Sequence, residues 1–161
     1  MQHLDNDVRE LTAVERQQIE DEHARLDQFL RELCETCCEF DSLKGCLGCG
    51  REKIASCQGR LISFEYVFID LVIEHFKNEE KIMSKIFSNQ DTNECFRFHQ
   101  QEHDKLLREM QGLMHKLSTE SDRGHTAVAI REFHYRVMEL FGKHARMFDD
   151  PFMRQPKGGK K

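Results

Sequence analysis

Apolar residues recur at three- and four-residue intervals along most of this chain, the period that marks one face of an α-helix. The first stripe, Ile19, His23, Leu26, Leu30 and Leu33, follows Thr12-Ala-Val-Glu15, which has the form of a capping box. Together they predict a helix from about residue 13 to the mid-thirties. Between Cys34 and Cys57 the period disappears and Gly45, Gly48 and Gly50 accumulate, so this stretch reads as a loop or small insertion. The period returns with Phe64, Phe68, Leu71, Val72, His75, Glu79, Ile82, Met83 and Ile86, predicting a second helix over about 60–87. The turn-forming run Ser88-Asn-Gln-Asp-Thr-Asn supplies N-caps for a third helix, which carries His99, His103, Leu106, Met110, Leu113 and Leu117 and ends near Leu117. Residues 118–124 make the next connection. A fourth helix then presents Ile130, Phe133, Val137, Leu140 and His144, and Pro151 disfavours helical geometry at Asp150.

Four helices with short connections predict an all-α fold: an antiparallel up-down-up-down four-helix bundle with a Cys-rich loop between its first two helices. One domain is expected over residues 1–155, with the Cys-rich insertion at about 34–57 and a disordered tail at 156–161.

Polar residues stand where these stripes should be apolar. A helix turns by about 100° per residue, so positions i and i+4 lie about 40° apart and point the same way. His75 with Glu79, and His99 with His103, are therefore chelating pairs on inner faces, while His23 and His144 occupy inner positions on the first and fourth helices. Past His144 the spacing leaves Asp149 and Asp150 as alternative ligands. Asp149 is five residues on, a rotation of about 140°, and reaches the same face only if the last turn is distorted. Burying several imidazoles and carboxylates in an apolar bundle is unfavourable unless their lone pairs and charges are compensated, and a pair of metal ions compensates both. Mixed imidazole and carboxylate donors suit iron, manganese or zinc.

Composition narrows the classes further. With 161 residues, two Pro, nine Gly and a formal charge of −5 whose two signs are interspersed, the chain lacks the basic face of a nucleic-acid binder. Its N-terminus lacks the basic and apolar regions of a signal peptide, and the most apolar run, residues 61–73, is interrupted by Glu65 and Asp70. No membrane association is expected. Seven cysteines, an odd count, fit a reducing, cytoplasmic setting better than a disulfide framework.

The order His, His-x3-Glu, His-x3-His, His-x4-Asp resembles the hemerythrin family, and bacterial hemerythrins in particular. The likeness extends to Asp-Glu-His-Ala-Arg-Leu around His23, His-Phe-Lys-Asn-Glu-Glu-Lys-Ile-Met from His75, Gln-Gln-Glu-His-Asp-Lys-Leu-Leu around His103, and Lys-His-Ala-Arg-Met-Phe-Asp ending at Asp149. It covers about residues 12–153 apart from the cysteine segment. The resemblance implies a non-haem di-iron centre bridged by Glu79 and Asp149, with His99, His103 and His144 on one iron and His23 and His75 on the other. The second iron would keep an open position at which O2 binds end-on, accepts two electrons from the metal pair and can leave again as O2. An apolar wall around the ligands would exclude water and discourage loss of charged superoxide. The expected role is reversible dioxygen binding for O2 or redox sensing or oxygen handling, with a signalling partner or a fused output domain if it signals. The rival role is a di-iron enzyme acting on peroxide or nitric oxide, although ferritin-like di-iron enzymes carry more carboxylates.

The cysteines depart from the family pattern. His23 and His75 are 52 residues apart, longer than the family generally shows, and the excess holds Cys34-x2-Cys37-Cys38, Cys46-x2-Cys49 and Cys57. Two Cys-x2-Cys pairs predict a second metal site at Cys34, Cys37, Cys46 and Cys49, for zinc or less readily an iron–sulfur cluster. A thiol redox switch and unliganded loop thiols are the alternatives. With a structural zinc the domain would be a zinc-stapled interaction module.

Overall fold

The computed structural model describes residues 11–37, 45–86 and 94–146. Among these the chain is all-helical: α1 (Ala13–Thr36), a single 3₁₀ turn (Gly45–Gly48), α2 (Arg51–Ile86), α3 (Glu94–Asp122) and α4 (Thr126–His144), with no strand. Each helix packs against the next in sequence, and α4 returns to α1, so the four surround one interior.

The start of α1 is fixed locally. Thr12 Oγ1 accepts from the Glu15 N–H at 3.1 Å and Glu15 Oε2 accepts from the Thr12 N–H at 3.0 Å, so each residue satisfies a backbone donor left over at the helix end. The far end of α3 is equally defined. Gly124 takes φ +86°, its N–H bonds to the Ser121 carbonyl and the His125 N–H to the Glu120 carbonyl, both at 2.9 Å. This left-handed glycine closure caps the last carbonyls and turns the chain directly into α4.

Two boundaries differ from the sequence expectation. α2 begins at Arg51 rather than about residue 60, because Ile54, Cys57 and Leu61 extend its inner stripe, and Gln58 Nε2 donates to the Ser121 carbonyl at 2.9 Å. α3 continues to Asp122 rather than ending near Leu117. Its short polar residues bond back into the structure: Thr119 Oγ1 to the His115 carbonyl at 2.9 Å, and Ser121 Oγ with Thr126 Oγ1 at 3.0 Å. Residues 51–57, the last part of the expected cysteine loop, are therefore α-helix. The expected turn at 88–93, Asp149 and the tail at 156–161 lie outside the described residues.

The interior is not continuous. A large apolar cluster, including Leu30, Leu33, Phe68, Met110, Ile130 and Val137, fills the half near the 3₁₀ turn. A smaller one, Ile19, Ile82, Met83, Ile86 and Phe96, lies at the other end. Between them falls a layer of histidines with one carboxylate, to which every helix contributes. No helix among the described residues is long and apolar enough to cross a membrane.

Candidate metal centre

The polar layer is organised around Glu79, whose side chain is 2% exposed. His75 and Glu79 are one turn apart on α2, so both project inward, and His99 and His103 do the same on α3. α1 contributes His23 and α4 contributes His144 as its last residue.

The two oxygens of Glu79 face different sets of imidazoles. Oε1 lies 3.0 Å from His75 Nε2 and 3.5 Å from His23 Nε2. Oε2 lies 3.0 Å from His103 Nε2, 3.5 Å from His99 Nε2 and 4.0 Å from His144 Nε2. The donors thus form two groups that share one carboxylate, His23–His75–Glu79 and Glu79–His99–His103–His144, with the donor atoms of each group within 4.8 Å of one another. Ligands bound at about 2.1 Å around one ion are at most about 4.2 Å apart, so either group closes on a cation with small side-chain movements. The buried His/Glu layer can therefore hold metal. His103 Nε2 and Glu79 Oε2 make the same point: they are buried and close, yet neither makes a hydrogen bond. A cation between them would satisfy both.

Outside this layer, two further carboxylates orient the rings. His75 Nδ1 donates to Glu22 Oε2 at 2.7 Å, and Asn78 Nδ2 donates to Glu22 Oε1 at 2.6 Å. On the opposite side His103 Nδ1 donates to Glu80 Oε1 at 2.9 Å, and Gln100 Nε2 lies 3.4 Å from Glu80 Oε2. An ionised carboxylate only accepts, so Nδ1 carries the proton in both rings and Nε2 is the atom presented to the centre. Phe76 covers the layer from the large cluster. Its ring stacks on His103 at 4.1 Å and 6°, and lies 5.9 Å from that of His144.

Without metal, the protons respond to this arrangement. Burial opposes a charge on His75, but its hydrogen bonds to Glu22 and Glu79, with the charge of Glu79, lift its pKa from 6.5 to about 9. His103 is also raised, the Glu79 and Glu80 carboxylates outweighing burial. Burial favours neutral Glu79, yet the imidazoles of His103, His144, His23 and His75 hold its carboxyl well below the usual carboxylate range. Protons on the histidines take the place of metal charge, so metal binding must release them.

The structure brings together His23, His75, Glu79, His99, His103 and His144; Asp149 lies outside the described residues. Sequence reasoning missed Glu22, Glu80 and Phe76. Each is the sequence neighbour of an expected ligand, but adjacency alone does not say which ring on another helix it meets.

Among the described residues the cysteines do not converge. Cys34, Cys37, Cys46, Cys49 and Cys57 are thiols, and among the described residues no three of their sulfurs fall within ligating distance; Cys38 lies outside those residues. Cys37 is buried in the large cluster. Cys46 Sγ accepts the Ala127 N–H at 3.3 Å, in the first turn of α4.

Comparison with protein-family models, with curated proteins and with solved structures finds no match to this chain.

Proposed function

We propose that this chain is a hemerythrin-like antiparallel up-down-up-down bundle whose histidine layer holds two iron ions and binds dioxygen reversibly, for oxygen sensing or handling. One observation carries the reading: a single buried carboxylate, Glu79, with two imidazoles gathered at one oxygen and three at the other. That division supports a bridging role for Glu79 and an asymmetric pair of metal positions. The His23–His75 side has fewer protein donors, and so more room for an exogenous ligand. Asp149 would be a further carboxylate ligand in this reading.

Iron held here supplies the two electrons that dioxygen accepts on binding. The remaining contributions belong to the chain. Glu22 and Glu80 keep the Nδ1 protons of His75 and His103 and leave each Nε2 lone pair directed inward. Phe76, Val72 and Leu106 exclude water on one side and Ile82 and Met83 on the other, which disfavours escape of a charged product. A histidine-rich, carboxylate-poor donor set favours binding over the oxidative chemistry of carboxylate-rich di-iron enzymes.

Elemental analysis and optical spectroscopy test the reading together. Two irons per chain are expected, with a visible absorption band that appears when O2 is added to the anaerobic ferrous protein and disappears on degassing. An iron-loaded protein whose spectrum does not respond to O2 would refute it. Rapid catalytic consumption of peroxide or nitric oxide would replace it with the enzyme.

A further inference from the structure

The ligands differ sharply in how far they can be reached from outside. The side chains of His75, Glu79, His99, His103 and His144 are at most 5% exposed, whereas that of His23 is 34% exposed. The exposed part of His23 opens onto a cleft of about 240 Å³ between α1 and α4, walled by Leu26, Met138, Phe141 and Gly142, with Asp27 at its rim. A water molecule occupies about 30 Å³ of liquid, so the cleft is several times larger than a diatomic molecule requires.

Its chemistry is selective. The wall is apolar, so a neutral molecule enters without losing strong hydration, while a small anion would be stripped of water with no buried donor in the wall to replace it. Net charge at the mouth does not reverse this. The guanidinium of Arg146 lies beside Gly142, opposite in sign to Asp27. Gly142 itself is not demanded by packing. A Cβ built there meets only the Arg146 Nη1, at 3.4 Å, the far end of a flexible side chain. What glycine does at this helical position is leave the cleft wide.

We propose that the α1–α4 cleft is the port by which small neutral molecules reach the His23–His75 side of the centre, and that Gly142 sets its width and hence the size of molecule admitted. The assignment of the port stands on the exposure of His23 and the shape of the cleft; its use for dioxygen rests on the function proposed above.

Two probes separate the two ideas. In the metal-free protein, diethyl pyrocarbonate acylates accessible imidazoles, and peptide mass spectrometry reads His23 against exposed His115 as an internal reference. Gly142→Leu should slow acylation of His23 relative to His115 by about tenfold or more, and Met138→Phe should act in the same direction at the mouth of the cleft. In the iron-loaded protein, association and dissociation of O2 should slow together in both variants, with the equilibrium affinity unchanged, because a port alters rates and not end states. Unchanged acylation of His23 in both variants overturns the port. A wild-type protein that does not bind O2 overturns the function alone, and the acylation result still decides the port. Met138 is 44% exposed and lies outside the buried clusters, so Met138→Phe keeps the test independent of the folding of Gly142→Leu.

Discussion

Glu22→Gln removes one negative charge from the outer side of His75 while keeping the size of the side chain. In the metal-free protein His75 lies between Glu22 at 2.7 Å and Glu79 at 3.0 Å, and despite the opposing effect of burial its pKa rises from 6.5 to about 9. A folded-state pKa above the unfolded value adds stability that is fully present below pH 6.5 and is lost as the pH rises through about 9. At about 1.4 kcal/mol per pKa unit the loss is about 3 kcal/mol across that window, a large share of the stability of a single domain. Urea unfolding of the chelator-treated protein, repeated from about pH 6 to about pH 9.5, measures it. In Glu22→Gln the amide oxygen still accepts from Nδ1 but brings no charge, so the pKa of His75 moves back toward its ordinary value and the pH dependence flattens. In the metal-loaded protein the same substitution loosens the tautomer and orientation of His75, and metal affinity should fall by about 10- to 100-fold. Parallel stability–pH curves for the wild type and the variant would refute the reasoning, since they would mean that Glu22 does not act on His75 in solution.

Phe76→Ala should destabilise the fold by about 3–5 kcal/mol in urea unfolding, because it opens a cavity in the large cluster and removes the ring stacked on His103; a loss under about 1 kcal/mol would argue against that packing. Toward acid the sign reverses: the hydrogen bond from His103 and its charge hold Glu80 below the usual carboxylate range, and Glu79 is held lower still. Stability conferred by the two is complete above about pH 4.5 and should decline as the pH falls below it, measurable by circular dichroism. Replacing Cys34 and Cys49 with serine together should leave metal content unchanged, whereas loss of one equivalent of zinc would restore a thiolate site. Thr12→Ala removes the side-chain half of the capping box and should cost about 1 kcal/mol of unfolding free energy.

Six of the seven expected ligands were legible because a helix makes direction a function of spacing: His75 with Glu79, and His99 with His103, share a face wherever the helices pack. Glu22 and Glu80 were not legible. Each sits about 100° around the helix from its ligand neighbour, so its partner lies across the bundle: Glu22 of α1 bonds His75 of α2, and Glu80 of α2 bonds His103 of α3. Only the packing of neighbouring helices reveals such pairs. Phe76 escaped for a similar reason, since it belongs to the α2 face turned toward α3 and α4, beside the stripe that carries His75. For the cysteines, spacing along the chain is a weaker guide to proximity, and among the described residues no three of their sulfurs lie within ligating distance. With α2 beginning at Arg51, Cys57 rides on a helix and Cys34 on another, while Cys46 is held by α4.

The same helices keep the thiols of Cys34 and Cys57 away from the imidazoles. Cys57 and His75 are eighteen residues apart on one unbroken helix, about 27 Å at 1.5 Å per residue, and Cys34 is about 16 Å along α1 from His23. No sulfur at those positions can ligate an ion held by Glu79, and the large apolar cluster fills the space between. Oxidation or alkylation of these thiols could reach the centre only through the helices themselves. Of these α4 is the most direct, since its first turn donates the Ala127 N–H to Cys46 and its last residue is His144. A modified Cys46 loses that hydrogen bond and no longer fits against the cluster, which loosens the start of α4. His144, at the other end, would feel that change only as a shift of a helix that Ile130, Phe133 and Val137 anchor in the core. The architecture therefore favours thiol chemistry that changes the stability of the bundle over thiol chemistry that retunes the metal ligands.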